Sequence, residues 1–353
     1  VLRSINFTDI EDKAISQAHE EKKTVHEVTK PVIDNFIGTA KKLGIELPDH
    51  IPRATTSIEE AVSLIKALLD KGVAYWYKGN VYSDPLKYDT FGEVFGLDMS
   101  KWPKKKYRFS KDTYSGHRWN LGDFILWHGH KDEQSVYWET DIGRGRPSWN
   151  VQDPAMIMKT LGPEIDIHAG GIDNIYRHHD YNRAVVEAAT GKELAHYWMH
   201  CKHLIVDGEK MSKSKGNTLY PEDIFKDGYD AKHVRFILIY GYYREELDIT
   251  PEYIQMSCRK LDEIHRSIAT VRGKTCSDCT SAPQVDKLIA EVPRVFRAKM
   301  NDNLRVKGAV DCIAGILNDF ISLQRKKGVN REQQTAFLNA LGNIDSVLGV
   351  LIK

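Results

Sequence analysis

The chain has 353 residues, which is enough for two or three domains with a sizeable buried core. Apolar residues make up 41% and charged residues 28%, and 50 basic side chains nearly balance 49 acidic ones, so no global field indicates a nucleic-acid partner. No apolar run approaches the ~18 residues of a membrane span, and cysteines are few, which together predict a cytoplasmic protein with no membrane partner.

The first half of the chain alternates between strand-like and helical patterns. Residues 1–16 predict a strand that runs into a helix, and Ser57 to Gly72 predicts a helix with a capping box between Ser57 and Glu60. Residues 73–84 predict a β-hairpin whose turn falls at Gly79 and Asn80. The turn-rich, aromatic and basic stretch over residues 85–147 is typical of an inserted module.

The second half begins with two more strands and then becomes purely helical. A strand over residues 164–171 ends in glycines and leads into a helix near Arg177, and another strand covers residues 202–208. From Pro251 onward an apolar stripe recurs at helical spacing, as in Val306, Val310, Ile313, Leu317 and Phe320. Strands that end in glycine and alternate with helices predict an α/β fold with a parallel sheet, followed by a separate helical bundle.

The strand-to-helix junction "DIHAGGID" is the first candidate ligand site. Gly170 and Gly171, which follow His168, let the backbone approach a flat or phosphorylated ligand, and Asp173 can accept hydrogen bonds from both hydroxyls of a ribose. A tight turn in which Asp173 caps the helix explains the same residues without a ligand. The junction alone leaves both interpretations open.

The segment "VDGEKMSKSKGN", residues 206–217, follows a strand and is basic and rich in serine and glycine. Lys210 and Lys213 are flexible point charges, which suit phosphates that gain negative charge in a transition state. Met211 would anchor the loop, while Ser212 and Ser214 would supply mobility and backbone donors. A lysine-rich run is usually a solvated turn, but this particular order of residues favours a phosphate-binding loop.

With these motifs the chain resembles the cysteinyl-tRNA synthetase family of class I aminoacyl-tRNA synthetases. "KMSKS" is similar to the second signature of that class, and further blocks occur in the family's order and spacing. They are "NFTDIEDK" (6–13), "GRGRPSWNVQDPAM" (143–156), "DIHAGGIDNIYRHH" (166–179), "YWMHCKHLIVDGEKMSKSKGN" (197–217), "YREELDIT" (243–250) and "MNDNLRV" (300–306). The resemblance covers nearly the whole chain, and the joint occurrence of the blocks is highly specific.

The resemblance implies a fold, a reaction and roles for individual residues. It implies a Rossmann-type catalytic domain in two parts, residues 1–53 and 146–250, with a connective module inserted at 54–145 and a helical bundle over 251–353. The reaction would activate an amino acid with ATP and Mg²⁺ to an aminoacyl adenylate and transfer it to tRNA. Lys210 and Lys213 of the loop would act on the α-phosphate. The adenosine would be surrounded by His168, Gly170, Gly171 and Asp173. The amino acid would lie beside Thr8 and Trp149.

Two family features have no counterpart in this sequence. The family's first strand carries a His-Ile-Gly-His motif that would precede Val1, and its anticodon-binding module would follow Lys353. We therefore expect that the chain is a fragment or a divergent paralogue. Two alternatives to tRNA charging stay open: ligation of an activated amino acid to a small amine or peptide, and binding of nucleotide or RNA without catalysis. The sequence sets neither the amino acid nor the oligomeric state.

The family's zinc site is altered at two of the three positions within this chain. Family members read Trp-His-Ile-Glu-Cys where this chain has residues 149–153, so that Asp153 replaces a cysteine. They read His-His-Glu-Asn-Glu where it has residues 178–182, so that His178 is retained and Asn182 replaces a glutamate. Because thiolate coordination is hard to rebuild from these groups, we expect no zinc, and we expect these side chains to line the amino-acid pocket.

Two smaller motifs leave their interpretation open. Cys276 and Cys279 have the spacing of metal ligands, but no second pair completes a site, which favours a chance loop. The segment "KWPKKKYR", residues 101–108, interleaves basic and aromatic side chains as a contact to a phosphate backbone would, although a solvated loop has the same composition.

Overall fold

The computed structural model describes residues 1–98, 123–130, 136–212, 215–273, 275–276 and 279–352. Packing divides the chain into two compact units. One comprises Val1–Gly38 and Leu47–His200, and the other comprises Thr39–Glu46 and Cys201–Lys353. The division at residues 53, 145 and 250 that follows from the sequence stays a prediction.

Among the described residues up to position 201, three helices are followed by four strands, after which single helices and strands alternate. The helices are α1 (Asp12–Glu21), α2 (Val25–Lys42), α3 (Ile58–Asp70), α4 (Trp149–Thr160) and α5 (Asp180–Thr190). The strands are β1 (Ala74–Tyr77), β2 (Asn80–Ser83), β3 (Phe124–Gly129), β4 (Gly145–Pro147), β5 (Ile165–Gly171) and β6 (Ala195–Cys201).

The rest of the chain is mainly helical, as predicted. Its short strands are β7 (Leu204–Val206), β8 (Glu209–Lys210) and β9 (Leu247–Asp248). Its helices are α6 (Pro221–Lys226), α7 (Ala231–Tyr240), α8 (Pro251–Val271), α9 (Pro283–Asn301), α10 (Val306–Lys327) and α11 (Arg331–Leu348). In the part of the chain that the structure describes, none of the helices is long and apolar enough to cross a membrane.

Both antiparallel and parallel pairing occur in the sheets. Strands β1 to β4 form an antiparallel sheet in chain order, and β5 pairs with β6. In the remaining sheet β7 lies between β8 and β9 and runs parallel to β9. Parallel bridges also join Ser4 to His50 and Phe7 to Arg53 near the N-terminus. The fold is of the mixed α/β class that the sequence predicts.

The predicted hairpin forms, but its turn lies one residue earlier than expected. Tyr77 pairs with Asn80, so the two turn residues are Lys78 and Gly79, with φ of +48° and +78°. Asn80 instead belongs to β2, where its buried side-chain oxygen accepts a hydrogen bond from the Gly129 amide at 2.9 Å. This contact between β2 and β3 gives the Asn80 side chain a partner in the sheet, which the local sequence does not encode.

Helix α3 forms as predicted, but its capping box does not. Ser57 occupies the cap position, yet its hydroxyl donates to the Arg53 carbonyl at 2.9 Å and makes no cap hydrogen bond to the helix. At the other end, Gly72 adopts a left-handed conformation with φ of +67°, as expected of a helix stop.

The core of the first unit is shared by helices from distant parts of the sequence. Helix α3 packs against both α4 and α5, and β3 contributes the large buried side chain of Trp127. The buried residues that meet there include Ile65, Leu68, Leu126, Val151, Ala155, Met156, Tyr181 and Val185. This core sets the positions of α4 and α5, which carry much of the candidate site.

The core of the second unit is a helical bundle. The predicted stripe of α10 is confirmed, because Val310, Ile313, Leu317 and Phe320 are all fully buried. Phe320 stacks on Phe337 of α11 with ring centroids 4.0 Å apart. Helix α7 shares this core, although the sequence places it before the bundle.

Cys276 and Cys279 form a disulfide bond, whereas the sequence favoured a chance loop. The Cys276 amide also donates to the Val329 carbonyl at 3.0 Å. The disulfide closes a short loop within the segment that precedes α9, and the hydrogen bond joins that segment to the turn that follows α10.

The Phe320–Phe337 stack predicts an asymmetry between two positions of α11. Phe337→Ala should lower the free energy of unfolding by about 3–5 kcal/mol, because it leaves a cavity in the bundle. Val347→Ala on the same helix should change it by less than about 0.5 kcal/mol, because Val347 is 56% exposed. Denaturant unfolding measures both values, and equal losses in the two variants would contradict this packing.

Candidate active site

The end of β5 brings the backbone close to its neighbours. A Cβ atom at Gly170 would lie 2.7 Å from His179 Cε1, and one at Gly171 would lie 2.7 Å from Asp173 Oδ1. A larger residue at position 170 would displace the buried His179 ring, whereas at position 171 the exposed Asp173 side chain could move aside. A short 3₁₀ turn, Ile172–Asn174, follows with Gly171 at its cap position, and the Asp173 side chain is exposed. Asp173 is thus not the cap residue of this turn.

His168 lies in a cluster of aromatic side chains. Its ring stacks on Trp198 with centroids 4.7 Å apart and meets His179 edge-on at 4.4 Å. His179 Nδ1 lies 2.7 Å from His200 Nε2. Burial lowers the pKa of His168 to about 4 and the pKa of His179 to about 2. Both imidazoles are therefore uncharged at neutral pH and offer flat, hydrogen-bonding surfaces.

Three members of this cluster were not predicted as site residues. Trp198 and His200 occupy alternate positions of β6, so their side chains lie on one face of the strand. That alternation was the available signal in the sequence. His179 gave no comparable signal, because its contact with the end of β5 depends on the turn that precedes α5.

The positions that the resemblance compares with zinc ligands form a second cluster. Asp153 lies on α4, His178 precedes α5 and Asn182 lies on α5. His178 Nε2 is 2.5 Å from Asp153 Oδ2, and the Asn182 amide nitrogen is 3.5 Å from the same His178 atom. Asn6 donates to Asp153 Oδ1 at 3.2 Å. Asp153 is therefore engaged on both oxygens.

The environment of Asp153 keeps its carboxylate charged. Burial by itself would raise the pKa of this group, but the hydrogen bond and charge of His178 and the hydrogen bond from Asn6 hold it below its ordinary value. The indole of Trp149 covers the His178 ring, with centroids 3.9 Å apart and planes 7° from parallel. Thr8 is half-buried two residues from Asn6, and no hydrogen bond joins its side chain to the cluster within the described residues.

The basic loop belongs to the second unit. Strands β7 and β8 form a tight hairpin through Asp207 and Gly208, and the Gly208 amide donates to Asp248 Oδ2 at 3.0 Å. Lys210 ends β8, and Met211 follows with its amide 3.3 Å from the Leu204 carbonyl.

Asn217 braces the base of this loop. Its side-chain oxygen accepts from the Ser212 amide at 2.8 Å, and its amide donates to the Lys210 carbonyl at 3.3 Å. Lys215 forms an ion pair with Glu209 at 2.9 Å. Lys213 and Ser214 lie outside the described residues, as does the basic segment at residues 101–108.

Comparisons with known proteins agree on one family. The model of the family described as tRNA synthetases class I (C) catalytic domain matches residues 3–259. The cysteine–tRNA ligase of Chlamydia pneumoniae is 32% identical over 355 residues, which cover 99% of this chain and 74% of that protein. The cysteine–tRNA ligase of Brachyspira hyodysenteriae is 32% identical over 348 residues, covering 98% of this chain and 72% of that protein.

The chain belongs to the cysteinyl-tRNA synthetase family. Its fold is that of class I synthetase catalytic domains, as a solved structure also indicates. The methionyl-tRNA synthetase of Mycobacterium tuberculosis bound by methionyl-adenylate superposes with a TM-score of 0.65 at 16% identity, covering 95% of this chain and 79% of that one. The sequence-based prediction of a Rossmann-type class I catalytic domain is thereby confirmed.

The residues of this synthetase do not fit the zinc ion that the family resemblance implies. Zinc binds histidine nitrogen and carboxylate oxygen at about 2.0–2.2 Å in a tetrahedron, which separates two such ligands by roughly 3.3 Å. His178 Nε2 and Asp153 Oδ2 are 2.5 Å apart, which is a hydrogen-bond distance. Among the residues that the structure describes, moreover, no three His, Cys, Asp or Glu side chains could hold a metal ion.

A buried carboxylate at the start of α5 makes the stability of this synthetase depend on pH. Asp180 Oδ1 accepts from the Val94 amide at 3.1 Å. Burial raises the pKa of Asp180 to about 7, against the lowering effect of hydrogen bonds from the backbone of residues 92–95. The folded state therefore holds this proton more tightly than the unfolded state, so the stabilisation is complete below about pH 4 and is lost as pH rises toward 7.

Asp180→Asn should remove this pH dependence, because asparagine keeps the acceptor oxygen but does not ionise. Between about pH 4 and pH 7 the free energy of unfolding should fall more steeply in the unmodified protein than in Asp180→Asn. The difference in slope should reach up to about 1.4 kcal/mol per pH unit. Denaturant unfolding at intervals across the range measures the difference, with the exposed Asp166→Asn on β5 as control. Parallel curves for the unmodified protein and Asp180→Asn would contradict the assignment.

Proposed function

We propose that this chain carries the catalytic machinery for activating an amino acid with ATP and transferring the aminoacyl group to tRNA. Family membership across nearly the whole chain is the observation that carries the proposal. The relatives are cysteine–tRNA ligases, and the solved neighbour binds methionyl-adenylate. Activation joins a carboxylate oxygen of the amino acid to the α-phosphorus of ATP and breaks the bond to pyrophosphate.

The end of β5 suits the adenosine part of ATP. Gly170 and Gly171 let the His179 ring and the Asp173 carboxylate lie close to the backbone, and the neutral imidazole of His168 adds a flat, hydrogen-bonding surface without a charge. The exposed carboxylate of Asp173 would accept hydrogen bonds from two ribose hydroxyls.

The braced loop after β8 suits the phosphates. Lys210 and Lys213 would stabilise the charge that develops on the α-phosphate as pyrophosphate leaves. Asn217 holds the backbone on both sides of Met211, so the loop is anchored at its base. Mg²⁺, which accompanies nucleotide phosphates, would neutralise part of their charge.

The role of Asp173 predicts a loss of nucleotide affinity. Asp173→Ala should raise the dissociation constant of a non-hydrolysable ATP analogue by roughly 10- to 100-fold, because hydrogen bonds to a charged acceptor are lost. The control is Asp166→Ala, which removes an exposed carboxylate from β5, the strand that precedes Asp173. Titration calorimetry on all three proteins decides the matter, and equal affinities would leave Asp173 a purely structural residue.

The role of the loop predicts a loss of catalysis. Lys210→Ala should slow amino-acid-dependent pyrophosphate exchange by about 10²- to 10³-fold, since a contact made as charge develops is removed. Lys215→Ala, in which an ion-paired lysine five residues away is removed, serves as the control.

The same assay tests the proposal as a whole. The full-length protein should exchange pyrophosphate with at least one amino acid and should charge bulk tRNA with it. Absence of exchange with all twenty amino acids would favour the alternative of a binding protein, and exchange without charging would favour a different acceptor.

A further inference from the structure

Both carboxylate oxygens of Asp153 have a protein partner and need no metal ion. Asp153 accepts from Asn6 on one oxygen and contacts His178 Nε2 with the other. The short separation of 2.5 Å requires a proton between His178 Nε2 and the carboxylate oxygen. The nitrogen that would coordinate a metal is therefore already committed to a hydrogen bond.

Asn182 keeps hydrogen-bonding capacity that its neighbours do not use. Asn182 is 0% exposed, and its side-chain oxygen has no hydrogen-bond partner among the described residues. Because His178 Nε2 carries its proton toward Asp153, it cannot also accept from the Asn182 amide 3.5 Å away. A buried amide in this condition is costly unless a ligand supplies the missing partner.

We propose that this synthetase selects a small neutral side chain bearing a hydroxyl or thiol through a hydrogen bond to Asn182, rather than through a metal–thiolate bond. The proposal rests on the function proposed above and adds the basis of its amino-acid specificity. A hydroxyl or thiol can both donate and accept, so it complements an amide in either orientation. Trp149, stacked on His178, bounds the cluster on one side.

The two recognition chemistries differ in the selectivity that they produce. A metal that binds thiolate distinguishes cysteine from serine by ligand type. A hydrogen-bonding amide distinguishes them only by size and polarity, which gives roughly 10- to 200-fold. The same amide rejects alanine much more strongly, by about 10⁴-fold, because alanine leaves the buried polar group unpaired.

The first experiment uses the full-length protein without substitutions. Zinc content is measured by elemental analysis, and pyrophosphate exchange is compared for serine, cysteine and alanine. We expect much less than one equivalent of zinc, serine and cysteine rates within about 200-fold of each other, and alanine lower by about 10⁴-fold. One equivalent of zinc that Asp153→Ala removes, together with exchange that depends strictly on cysteine, would overturn the proposal.

The second experiment changes the residues that decide the chemistry. Asn182→Leu keeps a side chain of similar volume but removes the amide. It should lower kcat/KM for serine and cysteine at least tenfold and reduce the ratio of these values to kcat/KM for alanine. The pair Asp153→Cys and Asn182→Glu offers, with His178, three zinc ligands. It should bind one equivalent of zinc and shift selectivity toward cysteine, and adding His178→Ala should abolish both gains.

Each outcome distinguishes this inference from the function on which it rests. Unchanged amino-acid selectivity in Asn182→Leu and in the paired variant would overturn the specificity assignment while exchange itself continued. Exchange with none of the twenty amino acids would refute the proposed function and this inference together. A circular dichroism spectrum that matches the unmodified protein shows that each variant is folded.

Discussion

The burial of α4 and α5 in one apolar core is the constraint on which the candidate site depends. Val151 and Ala155 on α4 and Val185 on α5 are inaccessible to solvent, and α3 covers both helices. Once these faces are packed, Asp153 and His178 are brought together at the edge of the core. A carboxylate in such a place is stable only with a partner, and His178 supplies it at 2.5 Å.

The two clusters of the first unit handle buried polar groups in opposite ways. His168 and His179 lose their charge, because burial disfavours the imidazolium and no carboxylate is close enough to outweigh it. Asp153 keeps its charge, because pairing outweighs burial. An uncharged, flat surface and an ionised, internally paired cluster thus arise from similar side chains in different surroundings.

The second unit combines a loop and a bundle that differ in how they are held. The bundle depends on apolar stripes such as that of α10, which meet in a core that includes Phe320 and Phe337. Within its described residues the loop is held by the hydrogen bonds of Asn217 to the backbone on both sides of Met211 and by the Lys215–Glu209 ion pair. Apolar packing therefore holds the bundle, whereas polar contacts to the backbone hold the base of the loop.

The sequence by itself determined the family, helix α3, strand β5 and the helical character of the bundle. These properties follow from local spacing, which repeats at 3.6 residues in a helix such as α10 and is read without knowledge of the fold. Only the tertiary structure decided the hairpin register at Asn80, the hydrogen-bond partner of Ser57 and the pairing of Asp153 with His178. The reason is that a buried polar group takes whichever partner lies closest in space, and Asp153 and His178 are 25 residues apart in the chain.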